Sequence, residues 1–473
     1  MLAQLHALVM PLPTVAAVRS RNGRCLLYPA LAAVALLGTF AMTGYGNGLW
    51  KTEHAALLAF MLLCLAGRDA WRQLAANPFC RVFAAFALYG FAHAAYIAHA
   101  VPGFTFSQQL SANAEIMRIG VAAVAVGWWL SRRPALIPWM LILMLSGMTA
   151  YVLIELPWAQ WASLIDGTLR LDIGYPTNLA GAHTAVAALL AAIFACHGGW
   201  PAHVAIPWRL TIRAFCISCF VVLCTGLFFT QSRNAWFATA ALLPTALFAL
   251  IRSEPRRKGE RAWALPGLIA ILALGLLAAV WPSVEKRLEG GTEFAQVLAR
   301  TIDIEREAPP AASGIAALPP SSMGLRIHLY AIGWEHWQQR PWLGWGLRSI
   351  PEIIKQAQDA PPELHLHSHL HSIYVEAMVG LGSIGTGLLA LALVVLIRAL
   401  MQAWRAGRVP DAWFIGLTST LAAVLIVNAT DTLLWQFGFA RTPAAVLLGC
   451  ALAYSLQAGG PAHTQASQTP PGR

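Results

Sequence analysis

The chain has 473 residues, 58% of them hydrophobic and only 11% charged, with a net charge of +11. A soluble protein of this length needs far more charged surface, so the composition excludes an ordinary globular enzyme and indicates a polytopic membrane protein. The positive excess does not form a patch. Basic residues fall in small groups between apolar runs, as membrane-orientation signals do, so nucleic acid is excluded as a partner.

Apolar runs of roughly 17–25 residues suggest about twelve transmembrane helices and an all-α fold. The first six runs lie at 25–45, 54–67, 81–100, 111–130, 134–154 and 178–197. The other six lie at 210–230, 234–251, 262–281, 373–399, 412–428 and 442–456. Residues 1–281 thus carry the first nine spans, 282–371 one large loop with short helices, 372–457 the last three spans, and 458–473 a disordered tail. Arg19, Arg21 and Arg24 precede a first run that is long for a signal peptide, which reads as an uncleaved span. The eight cysteines sit in or beside apolar segments, which argues against a disulfide framework. Cys216 and Cys219 form a C-x-x-C inside an apolar helix, where packing is the expected role.

Arginines and lysines alternate between successive connections. Arg68, Arg72 and Arg81, Arg132 and Arg133, Arg209 and Arg213, Arg252 to Arg261, and Arg398 to Arg408 mark one side. By the positive-inside rule these connections and both termini are cytoplasmic, and the large loop faces outward. Within that loop, 282–322 reads as a short helix and then an Ala/Pro/Ser-rich linker. Leu325, Leu329, Ile332 and Trp337 have helical spacing over 325–339, which predicts a surface helix ending before Pro341.

The candidate chemical groups cluster at outward positions. Arg233, in TQSRNAW, sits on a tight turn between spans among Gln231, Ser232, Asn234 and Trp236, where a guanidinium fork suits phosphate oxygens. Arg326 opens the surface helix, and Arg348 follows a Gly344-Trp345-Gly346 turn, where a solvated face is the simpler role. His365, His367, His369 and His371 stand at alternate positions. In an extended strand they would share a face and suit a transition metal, but no carboxylate or thiolate completes a ligand set, so no metal is expected. A single neutral imidazole acting as base is the alternative, with His371 favoured beside Ser372 and Tyr374 at a helix start. Glu115 and Arg118, i and i+3 on one helix, are spaced to pair. Asp172, Tyr175 and Asn178 lie at another outward helix entrance.

In this order, SRNAW at Arg233, an arginine at Arg326 leading to RPWLGWG at 340–346, and HLHSIYVEAMVGLGSIG at 369–385 resemble the O-antigen ligase/polymerase superfamily. Ser372 stands where members often have Asn, and Tyr330 and Trp334 stand near where a tryptophan is expected. The resemblance implies a GT-C-like, metal-independent glycosyltransferase without cofactor in the bacterial inner membrane, working at the periplasmic face. The donor would be undecaprenyl-pyrophosphate-linked O-antigen and the acceptor lipid A–core oligosaccharide. It implies His371 as catalytic base and Arg233 and Arg326 on the pyrophosphate, with His369, Arg348 and Tyr374 as further substrate-binding candidates. An O-antigen polymerase and a protein O-oligosaccharyltransferase share this chemistry; the one large late loop favours a ligase. A lipid-linked glycan transporter, the reading of another class, predicts paired charges deep in the spans and two symmetric halves.

Overall fold

The computed structural model describes residues 21–43, 48–174, 176–197, 206–253, 263–287, 322–357, 361–436 and 438–457. Among them there is no strand. The chain runs through α1 (Arg21–Phe40), α2 (Gly48–Cys64), α3 (Arg68–Ala76), α4 (Pro78–Ala100), α5 (Phe106–Ser131) and α6 (Ile137–Glu155). The short α7 (Trp161–Ile165) precedes α8 (Thr177–Cys196), α9 (Ile206–Phe229), α10 (Arg233–Ser253), α11 (Ala264–Ala279) and α12 (Trp281–Arg287). Then come α13 (Ser322–Gln339), α14 (Ile350–Gln356), α15 (Ile373–Arg405), α16 (Asp411–Ala429), α17 (Leu433–Gln436) and α18 (Gly438–Leu456).

The chain is an all-α, multi-pass membrane protein. Among the described residues, eight helices are long and apolar enough to cross a bilayer, or up to ten if the two bent pairs α2–α3 and α11–α12 each count as one span. The runs expected at 25–45 and 442–456 form the shorter apolar helices α1 and α18. The predicted linker at 288–321 and the tail at 458–473 lie outside the described residues, as do Arg19 and Tyr175.

Helix α8 forms the axis of the bundle. From Leu179 to Cys196 every residue is buried, because a sequence dominated by alanine lets neighbouring helices approach closely on all sides. Gly181 in its first turns lies against the connection between α9 and α10. A Cβ there would stand 2.4 Å from Ser232 Cβ. The absent side chain is what lets that turn seat.

The segment from α13 to α15 has its own small apolar core of Leu329, Ile332, Ile350, Ile353, Ile354, Leu364, Leu370 and Val379. This core joins the main bundle through a break in α15. Gly382 interrupts the helix with φ 64° and ψ −178°, a region open in practice only to glycine. The broken turn bonds to the incoming RPWLGWG segment instead. Trp345 N–H and Gly346 N–H donate to Val379 O and Gly380 O at 2.8 and 2.9 Å. In return, Ser383 N–H donates to Pro341 O at 2.8 Å and Ile384 N–H to Trp342 O at 3.2 Å. Tyr89 hydroxyl closes the remaining carbonyl at Leu381, and His93 Nε2 donates to Leu343 O at 2.7 Å. Both glycine-rich motifs are therefore halves of one joint, which fixes the start of α15 against the bundle.

An alanine at 382 would take up strained backbone and put its Cβ 2.2 Å from Trp342 O. Gly382→Ala is expected to cost at least roughly 1–3 kcal/mol and to lower the unfolding temperature in detergent. Gly387→Ala, in the same helix with open space around it, serves as the control and should be neutral or slightly stabilising. Equal unfolding temperatures for the two variants would contradict the joint.

Candidate active site

The site is built on the turn between α9 and α10. Gln231 takes φ 52°, a conformation uncommon for a side chain with Cβ. Its carboxamide donates to Gly167 O and Leu169 O, both at 3.1 Å, which anchors the turn to the connection after α7. The carbonyls this turn exposes are used as acceptors for arginines. Arg170 donates from Nε and Nη2 to Thr230 O at 3.2 and 3.1 Å, and Arg287 Nε donates to Gln231 O at 3.3 Å. Arg233 is the first residue of α10, where the helix dipole adds further positive potential.

These three arginines share a cavity of about 410 Å³ with Arg326 from the first turns of α13. Asn178, Asn234, His367 and His371 complete its polar wall. All four guanidinium groups are half-buried, and among the described residues none lies within 4.0 Å of a carboxylate. Burial, then the charges of Arg287 and Arg233, lower Arg170 to about 10, so it stays protonated at neutral pH. Two buried donors, Arg326 Nε and Asn234 Nδ2, make no hydrogen bond. Four crowded cations and spare donors are the groups that suit the oxygens of a polyanion.

Three of the four alternate histidines meet beside this cavity, and two of them, His367 and His371, line it. They do so because the chain does not run as an extended strand there. A short 3-10 turn at Pro362–Leu366 and a left-handed His371 (φ 52°) fold the segment back. His371 Nε2 lies 3.1 Å from His367 Nδ1, and the His369 and His371 ring centroids are 3.9 Å apart. Tyr330 hydroxyl donates to His371 O at 3.0 Å, so the tyrosine near the expected tryptophan position holds the strained histidine backbone. Trp334 is half-exposed and has no such contact.

On the far side of His371 sits Asp431, from the connection between α16 and α17. Its Oδ1 is 3.7 Å from His371 Nδ1, an electrostatic contact rather than a hydrogen bond. Its Oδ2 accepts from Asn178 Nδ2 at 2.8 Å and its Oδ1 from Thr432 N–H at 2.9 Å. Burial pushes this carboxyl upward, but the His371 ring, the Thr432 N–H and Arg326 outweigh it, so Asp431 stays ionised below the usual range. His369 is held by Thr432 Oγ1 at 2.9 Å. Burial, followed by the neighbouring His371, keeps His369 neutral at physiological pH, and the same two causes act on His367.

The expected residues therefore divide. Arg233, Arg326 and His371 come together. His369 instead lines a second cavity of about 580 Å³ with Glu115, Arg348, Ser368, Glu376 and Trp435. Arg348 is in that cavity too, 3.8 Å from Glu115, apart from the other arginines. Glu115 also pairs with Arg441 of α18, so these two ion pairs cross between elements. Tyr374 turns away to donate to Leu425 O at 3.0 Å. His365 is not part of the histidine cluster. Arg170, Arg287 and Asp431 were not expected. Arg287 and Asp431 follow an apolar run by a few residues, Arg170 lies in the connection between two runs, and Asp431 is the one carboxylate in NATDTLLW.

Fold and site together define a multi-pass α-helical membrane protein with a cavity lined by four arginines. Residues 218–390, which include Arg233, Arg326 and the histidine cluster, match the family model described as O-antigen ligase. This match supports membership of the O-antigen ligase/polymerase superfamily. No curated protein matches the chain.

Inorganic pyrophosphate should bind the purified protein and raise its unfolding temperature. The stabilisation expected is about 2.7 kcal/mol at a concentration 100 times the dissociation constant, and it should decline with added salt. Arg233→Gln and Arg326→Gln should each remove most of that shift. An undiminished shift in both variants would exclude the cavity as the anion site.

Proposed function

We propose that the protein is an O-antigen ligase. It transfers O-antigen polysaccharide from undecaprenyl pyrophosphate to a sugar hydroxyl of lipid A–core oligosaccharide at the periplasmic face of the inner membrane. The observation that carries this reading is the cavity beside His371 in which Arg170, Arg233, Arg287 and Arg326 converge with no carboxylate partner among the described residues. A lipid-linked diphosphate leaves with developing negative charge, and fixed guanidinium groups in a partly desolvated site stabilise that charge as it forms.

The bond between the anomeric carbon of the donor sugar and the pyrophosphate oxygen breaks, and undecaprenyl pyrophosphate departs into the arginine cavity. The acceptor oxygen forms the new bond at the anomeric carbon and loses its proton to His371. Asp431, facing Nδ1 of that ring, stabilises the imidazolium that results. The second cavity is lined by His369, whose ring lies tilted with its centroid 3.9 Å from that of His371. Donor and acceptor can thus occupy separate cavities near the imidazole, with Glu115, Arg348 and Ser368 facing the acceptor sugars.

The deciding experiment is the lipopolysaccharide profile of a deletion strain. Loss of the polymer ladder, with core and lipid-linked polymer both retained, is expected; a core carrying a single repeat unit would identify a polymerase instead. Reintroduced Arg233→Ala or Arg326→Ala should lower transfer by on the order of 10²–10³, with insertion into the membrane unchanged. His371→Ala should lower it by about 10²–10⁴; near-normal ladders from this variant would exclude the base. Treatment with EDTA should leave the transfer rate unchanged, and a loss restored by added metal would contradict a purely protein-borne mechanism.

A further inference from the structure

His367, His369 and His371 offer three ring nitrogens that all lie within 4.8 Å of one another. Two of them, His371 Nε2 and His367 Nδ1, are already 3.1 Å apart. Two nitrogens bound to one tetrahedral ion at about 2.0–2.1 Å would be separated by little more than this. The surroundings also fit. Asp431 faces His371 on its opposite nitrogen, and Thr432 Oγ1 holds the His369 ring. Such outer carboxylates and hydroxyls orient imidazole ligands toward a metal. The arginine cavity opens on His367 and His371, leaving space for a water or a phosphate oxygen as fourth ligand.

We propose that the three imidazoles form a site for a divalent transition-metal ion, Zn²⁺ or Cu²⁺, and that the bound ion switches the enzyme off. The ion occupies the His371 lone pair that would otherwise accept the acceptor's proton. This second half rests on the role given above to His371; the binding itself does not. Imidazole donors select Zn²⁺ and Cu²⁺ over Mg²⁺, which prefers oxygen ligands and more of them. The guanidinium groups nearby oppose a dication, so an anion in the cavity strengthens its hold.

The test uses full-length protein purified without a polyhistidine tag. Calorimetry with ZnCl₂ should show one ion per chain, and Cu²⁺-loaded protein should show imidazole nitrogen couplings in its electron paramagnetic resonance spectrum. Asp431→Asn should weaken the ion by about 10–100-fold, and His367→Ala or His369→Ala by at least as much. Should His369→Ala fail to fold, His367→Gln at the cavity rim provides the same comparison. Zn²⁺ should inhibit transfer over the concentrations at which it binds, EDTA should reverse the inhibition, and Mg²⁺ should do neither. Absence of saturable binding, or binding unchanged in the histidine variants, overturns the site. Binding with transfer undiminished overturns the switch. Because binding is read directly from the ion and the base from the rate of His371→Ala, failure of one is distinguishable from failure of the other.

Discussion

Mutual repulsion among four guanidinium groups is the constraint around which this end of the molecule is arranged. Bringing Arg170, Arg233, Arg287 and Arg326 into one half-buried cavity opposes folding, both by desolvation and by Coulomb repulsion. Among the described residues the fold offsets this with neutral acceptors instead of carboxylates. Thr230 O and Gln231 O take the Arg170 and Arg287 donors, which orders these side chains without neutralising their charge. A carboxylate in the same place would have quenched the field that an anionic ligand needs. The uncommon backbone at Gln231 and the missing side chain at Gly181 both follow from placing those two carbonyls where the arginines can reach them.

A second arrangement fixes the histidines relative to that field. The start of α15 carries Ser372 directly after His371, so its position decides where the imidazole points. The joint between RPWLGWG and the break at Gly382 locks that helix to α4 through Tyr89 and His93. At its other end, Ile373 N–H donates to Asp431 O at 3.2 Å, tying His371 to the connection that supplies its carboxylate. Tyr330 then holds the left-handed residue from the α13 side. Four separate parts of the chain thus converge on one ring. This preorganisation lets an imidazole at a strained backbone position keep a single orientation.

The continuous apolar runs of about 20 residues determined by themselves that the chain is all-α and crosses a membrane many times, because a run of that length satisfies its own backbone groups in a bilayer as a helix, whereas barrel strands are shorter and alternate. The helix at 325–339 was legible from its spacing and its proline stop, Arg233 from a cation on a tight turn between spans, and Arg326 only from the family resemblance. His371 was legible only as a choice among four, since spacing by two predicts a shared face in a strand, whereas the 3-10 turn and the left-handed residue gather just His367, His369 and His371. Arg170, Arg287 and Asp431 are separated from Arg326 by tens to hundreds of positions, and each alone looks like any charge in a connection between spans. Only the packing of α8 against the 230–232 turn, and of α13 against α15, brings them within reach of one ligand. Local sequence sets which residues are polar at a helix end. Which of those ends face each other is decided by how the helices pack, through glycine contacts such as Gly181 and Gly382 whose partners are remote in the chain.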